Sequence, residues 1–177
     1  MVYNNDKRQS YGDNQGSMSE RVVYTRRIAK VVKGGRTLRF NAMVVVGDGA
    51  GSVGAGMGKA KAIPDAVRKG SSAAKRNMLH IPLKGSTIPQ KTSARFGASL
   101  VLIKPAPPGT GLIASGAMRA VLDAAGIKDA VSKSYKSRNP INVIQATIEA
   151  LSQLKDPQVE LAKRLGKPVP LNRDGSE

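Results

Sequence analysis

The sequence contains no cysteine and no tryptophan, two phenylalanines, four tyrosines, one histidine and 12 acidic residues. Without thiols there is no disulfide scaffold, no thiolate zinc site and no cysteine nucleophile, a composition that fits a reducing cytoplasm. The lone histidine, His80, has no second metal ligand in view, so its expected role is structural or solvated. The carboxylates are scattered, and neither a Ser/His/Asp trio nor a paired-acid motif is visible. That pattern argues against an enzyme and offers nothing to hold a metal or a cofactor. No apolar run approaches the roughly 18 residues of a membrane helix, Met1–Ser19 does not read as a signal peptide, and no long cationic amphipathic helix is present. A membrane is therefore not the expected partner. With aromatics at 3%, Val, Ile, Leu, Ala and Met have to fill the core.

What is abundant is positive charge. Lysine and arginine number 29, for a net charge of +17 over 177 residues. A surplus of that size repels itself unless a polyanion neutralises it, so nucleic acid is the expected partner. Length and a hydrophobic content of 40% allow one or two small domains. The charge is uneven: residues 1–84 carry 16 basic and 5 acidic residues, against 13 and 7 in residues 85–177. The first half is the stronger polyanion binder.

The chain is organised around a β-branched run that breaks at Gly47-Asp48-Gly49 and resumes as a segment in which Gly54, Gly56 and Gly58 alternate with Val53, Ala55, Met57 and Lys59. Strand alternation puts the three glycines on one face, which is then bare backbone. Glycine weakens a strand, so three in register imply that a helix or a ligand backbone approaches closely there. The spacing Gly49-x-Gly51-x-x-Gly54 matches the dinucleotide fingerprint, but no helix opens at its end and no acidic residue follows about twenty positions on. The ATP-loop pattern fails because Ala60 follows Lys59. RNA backbone is the remaining ligand reading.

In chain order, residues 1–20 are polar and read as a disordered arm. Residues 21–32 form a strand with a basic edge, Lys33-Gly34-Gly35-Arg36 a Gly-Gly turn with both glycines at positive φ, and 37–46 the returning strand. Asp48 is expected as a turn residue before the glycine strand. Pro64 opens a helix reaching Met78, whose Arg68, Lys69, Lys75 and Arg76 share an outer face that is either solvated or set against phosphates. A short strand over Ile81–Leu83 closes this β-β-β-α unit. After a junction at Lys84–Thr87, strands are expected over Ile88–Phe96 and Ser99–Lys104, then a Pro-Gly loop. A helix ends at Gly126, a strand covers Asp129–Lys136, and a helix capped by Asn139 has Ile141, Ile144, Ile148 and Leu151 on its core face. Arg119 and Asp123, four apart on the outer face of the first of these helices, are expected to face each other as a surface pair. Alternating strand and helix predict an α/β second domain.

Val32-Lys33-Gly34-Gly35-Arg36, Val45-Val46-Gly47-Asp48-Gly49, Val53-Gly54-x-Gly56-x-Gly58-Lys59-Ala60, Gly109-Thr110-Gly111, Ala117-x-Arg119-Ala120-Val121-Leu122 and Asn139-Pro140-Ile141-Asn142 occur in an order and spacing that resembles the bacterial small-subunit ribosomal protein number five family. The resemblance implies an α+β chain. Residues 21–84 would form a double-stranded-RNA-binding-like domain, a three-stranded antiparallel sheet with one packed helix. Residues 85–165 would form an α/β two-layer sandwich of the βαβ type, and 166–177 a flexible tail. It implies a structural constituent of the cytoplasmic small ribosomal subunit, not an enzyme, that binds 16S ribosomal RNA between head and body and contributes to decoding accuracy. Small-subunit proteins four and eight, and messenger RNA near the channel by which it enters, are the further partners implied. The hairpin around Arg26 to Arg36 would lie near the RNA helix where spectinomycin binds. On this reading Arg26, Arg27, Lys30, Lys33, Arg36, Lys59 and Lys61 pair phosphates, while Gly34, Gly35, Gly54, Gly56 and Gly58 let RNA backbone come close. Arg119 and Asp123 belong to the protein interface. The competing classes are a free-standing double-stranded-RNA-binding protein and a nucleotide-binding enzyme built on the glycine strand.

Overall fold

The computed structural model describes residues 18–165. The arm expected before residue 18 and the tail expected after 165 lie outside the described residues. Strands β1 (Ser19–Val32), β2 (Gly35–Gly47), β3 (Ser52–Ala60) and β4 (Met78–His80) form an antiparallel sheet in that order, with helix α1 (Ile63–Arg76) between β3 and β4. The closing strand lies at Met78–His80 rather than Ile81–Leu83, and it makes the sheet four-stranded. Ile81 is instead buried just beyond it, its N–H bonded to the Gly51 carbonyl at 2.8 Å. Pro82 has no N–H to give a strand.

Why β3 needs its glycines is visible in the packing of α1. A Cβ on Gly54 would lie 2.3 Å from the Ala74 carbonyl oxygen, on Gly56 2.3 Å from that of Gly70, and on Gly58 1.9 Å from that of Ala66. The helix lies directly on the strand backbone, and Gly70 on the helix reciprocates by meeting Val44. The bare face predicted from the sequence exists, and a helix fills it.

The second sheet has the order β5-β6-β8-β7, from β5 (Thr92–Phe96), β6 (Ser99–Pro105), β7 (Leu112–Ile113) and β8 (Ala130–Lys136). Helix α2 (Gly116–Ala124) crosses between the parallel pair β7 and β8, which supplies the βαβ unit. Helices α3 (Pro140–Ser152) and α4 (Pro157–Arg164) follow. The strand expected from Ile88 starts only at Thr92, because Pro89 interrupts it and Ile88 is buried in the core. Asn139 stands at the α3 N-cap, though its side chain makes no capping bond. The core face of α3 is turned from the expected stripe: Val143, Ile144, Ala146, Thr147, Ala150 and Leu151 are buried, while Ile141 and Ile148 are half-buried. Asp129 ties down the Pro-Gly loop, accepting from the N–H groups of Gly109 (3.0 Å) and Gly111 (2.9 Å) and from the Ser86 hydroxyl (2.6 Å). The Ser86 hydroxyl, followed by the two amides, holds its carboxyl below the usual carboxylate range.

One core runs through both sheets. Met43, Val45, Val53, Ala55 and Ile81 from the first half pack with Met118, Val121, Leu122 and Ile144 from the second. Helix α2 lies between β1, β2 and β3 on one side and α3 on the other. Its end is closed by Gly126 at φ +85°, with Gly126 N–H bonding Asp123 O and Ile127 N–H bonding Leu122 O, both at 3.0 Å. The turn after β2 docks there: Gly49 and Gly51 donate to the carbonyls of Ala124 and Ala125, each at 3.0 Å. A Cβ on Gly47 would lie 2.1 Å from Ala124 O, and one on Gly126 2.0 Å from Gly49 O.

The packing of α1 generates a contrast. Gly58→Ala should force helix and strand apart and destabilise the protein by about 3 kcal/mol, whereas Gly35→Ala, whose Cβ meets nothing within 4 Å, should leave the melting temperature essentially unchanged. Denaturant titration of the two variants checks this.

Candidate nucleic-acid interface

The last pairing of β2 with β3 is Phe40 with Ala60, so β1 and β2 continue alone as a two-stranded ribbon from Ile28 opposite Arg39 to Val32 opposite Gly35. Five residue pairs at about 3.4 Å each carry the tip roughly 17 Å beyond the sheet. The turn is Lys33-Gly34, and Gly34 has φ +88°. Gly35, expected at positive φ, has none and begins β2, so only Gly34 needs glycine's freedom.

Opposed residues of antiparallel strands share a face. Arg26, Lys30 and Arg39 therefore lie on the side away from α1, together with Lys59 of β3, while Arg27 and Arg36 lie on the α1 side. All of these, with Lys33 and Lys61, are exposed. Among the described residues none has a carboxylate within ion-pairing distance, the ion pairs being Arg21–Asp123, Lys75–Glu20 and Lys155–Glu160. Unpaired cations on a projecting ribbon keep their full field for a ligand. No sequence motif marks out Arg39, and only the register places it beside Arg26 and Lys30.

The glycines Gly54, Gly56 and Gly58 are buried under α1, so the sequence expectation that they admit RNA backbone is corrected: the helix occupies their face. Beyond its short pairing with β4 at Ser52–Gly54, β3 presents an outer edge beside α1. There Met57, Gly58 and Lys59 line an open cleft of about 410 Å³ with Arg68, Lys69, Ser72, Ala73 and Arg76. Four cations and no acid line it. Lys75 is withdrawn from this set by Glu20 at 2.8 Å, and Glu20 also accepts from the Ser71 hydroxyl at 2.7 Å. Partial burial would raise the Glu20 carboxyl, but Lys75 and Ser71 outweigh it and hold the group below its ordinary value. Asp48 is the turn residue expected, accepting from the N–H groups of Ala50 (2.8 Å) and Ser52 (2.9 Å).

Arg119 and Asp123 do not form the surface pair expected of them. The Arg119 guanidinium donates to the Leu112 carbonyl at 3.1 Å, while Asp123 pairs with Arg21 at 2.8 Å and so links α2 to β1. Both side chains remain exposed on the outer face of α2. At this exposure the Arg21 bridge is worth about 0.2–1 kcal/mol.

Residues 18–82 match ribosomal protein S5, N-terminal domain, and residues 94–165 match ribosomal protein S5, C-terminal domain. The chain belongs to the ribosomal protein S5 family. It is 51% identical over 148 residues to small ribosomal subunit protein uS5 of Chloroflexus aurantiacus, covering 84% of this chain and 83% of that protein. The two S5 domains coincide with the two sheets and their helices, the α+β architecture expected from the sequence. Membership makes this a small-subunit ribosomal protein with a structural role, in a family not known as enzymatic. Among the described residues no helix is long and apolar enough to cross a membrane.

In this S5 chain the tip geometry can be tested locally. Gly34→Val should strain the turn by about 1–3 kcal/mol and speed amide exchange in residues 30–37, while Gly35→Val should not. Equal exchange in both variants would mean that the turn tolerates a side chain at Gly34.

Proposed function

We propose that this S5 family member binds 16S ribosomal RNA at the junction of head and body in the small subunit. Its basic ribbon steadies the head relative to the body, and in doing so the protein contributes to translational accuracy. Arg26, Arg27, Lys30, Lys33, Arg36, Lys59 and Lys61 pair phosphates, with the hairpin tip near the RNA helix where spectinomycin binds. Small-subunit proteins four and eight are its protein neighbours, and messenger RNA passes close by on its way into the subunit. The observation that carries this reading is the ribbon itself: a hairpin extended beyond the sheet, exposed from Ala29 to Arg39, with its cations unpaired among the described residues. Such a ribbon buries too little to stabilise itself in water and is suited to packing against another molecule. Phosphate contacts of this kind position the protein without reading sequence.

The test is the affinity of the full-length chain for small-subunit ribosomal RNA as a function of salt. Log affinity should fall linearly with log salt, and replacing Arg27, Lys30 and Arg36 together by alanine should reduce the slope by about 0.7–0.9 for each phosphate no longer neutralised. A flat salt response in the wild-type protein would overturn the reading.

Arg119 and Asp123 are assigned to the face toward small-subunit protein four. A contact there that must break when the subunit closes on a matched codon favours the open form by its own free energy. Losing about 1–2 kcal/mol would shift the open-to-closed ratio roughly five- to thirtyfold. Arg119→Ala should therefore raise stop-codon readthrough in cells carrying only the variant, at unchanged levels of assembled subunit. Unchanged readthrough would confine Arg119 to its bond with Leu112.

A further inference from the structure

The face of the first sheet turned away from α1 holds a polar group that the fold leaves unsatisfied. Asn41 is 8% exposed, its Nδ2 donates to the Met57 sulfur at 3.7 Å, and its Oδ1 is buried with no hydrogen-bond partner. It is the single such side-chain atom among the described residues. A buried amide with one end unpaired is worse for stability than an apolar side chain of similar size. Folding alone gives no reason for it.

Its surroundings supply one. In cross-strand register Asn41 stands between Arg26 on β1 and Lys59 on β3, and two positions along β2 the same face carries Arg39. Arg26 and Lys59 are two strand spacings, about 10 Å, apart. The three cations and Met57 are exposed, with no carboxylate paired to the cations among the described residues. The amide is thus ringed by flexible side chains, and the unbranched Met57, at 41% exposed, can swing aside.

We infer that Asn41 is an RNA-reading residue: its carbonyl accepts a hydrogen bond from a ribose 2′-hydroxyl or a guanine 2-amino group of a strand whose phosphates are held by Arg26, Arg39 and Lys59. This rests on the RNA-binding reading above and adds to it a neutral, directional contact among phosphate-pairing cations. Both donors belong to the chemistry by which proteins recognise RNA through base edges and sugars.

The test uses the full-length chain, its Asn41→Leu variant and transcribed small-subunit ribosomal RNA. Asn41→Leu should melt at or above the wild-type temperature yet bind the RNA about five- to tenfold more weakly, with the salt slope unchanged because no charge is removed. Lys59→Ala should instead reduce the slope by about 0.7–0.9. Interference mapping identifies the donor. Transcripts carrying scattered 2′-deoxy nucleotides, or inosine in place of guanosine, should show sites that weaken wild-type binding but not that of Asn41→Leu. Deoxy sites assign the hydroxyl and inosine sites the amino group. Wild-type affinity and an identical interference map in Asn41→Leu would overturn this inference while leaving the salt-dependent reading intact. Failure of the wild-type protein to bind would remove both.

Discussion

The burial of α2 is the constraint on which the rest of the molecule depends. It is a nine-residue helix, shorter than the roughly 12 residues at which isolated helices begin to hold in water, so tertiary packing has to keep it folded. The first sheet supplies one wall and α3 the other, and the Gly47–Gly51 turn covers its C-terminus with two backbone hydrogen bonds. Each half lends the other an apolar surface that would otherwise face water. The backbones approach so closely at Gly47, Gly49 and Gly126 that a methyl group on Gly47 or Gly126 would strike a carbonyl oxygen. The end of the first sheet that docks on α2 is thereby fixed, and the other end is left to project.

That division explains the distribution of charge. Where β2 is covered on both faces it reads Ala42-Met43-Val44-Val45-Val46, and all five residues are buried. Where it leaves the core it reads Arg36-Thr37-Leu38-Arg39, and all four are exposed. A single strand passes from solvent-free to solvent-surrounded within a few residues. The polar residue at the transition is Asn41.

Much of this was legible in the sequence. Hairpin strands, the helix begun by Pro64, the Gly126 stop and the turn role of Asp48 follow from local rules that tertiary contacts did not override. The glycine strand announced a close approach, but alternation cannot say whether a helix or a ligand makes it; that depends on Ala66, Gly70 and Ala74, whose carbonyls and amides meet the strand only after folding. Short elements escape sequence reasoning for physical reasons. The two-residue β7 has no period to detect, and α4 buries no residue fully. Of the candidate site, the cations of the ribbon could be named from composition, whereas Arg39 and Asn41 join them only through register. Salt-bridge partners were the least legible, since Arg21 and Asp123 are distant in sequence and adjacent only because β1 crosses α2.

The ribbon also bears on the life of the chain before it meets RNA. β1 is the outermost strand of its sheet, 14 residues long, with Val22, Val31 and Val32 exposed. An edge of that length offers a row of unpaired backbone groups to another copy of itself, the usual route to strand-to-strand aggregation. Arg26, Arg27 and Lys30 are spaced along it and Lys33 follows in the turn, so two such edges brought together would set like charges against each other. Like charge along the edge opposes such pairing, and on the function proposed above the same side chains are the ones that would later neutralise phosphate.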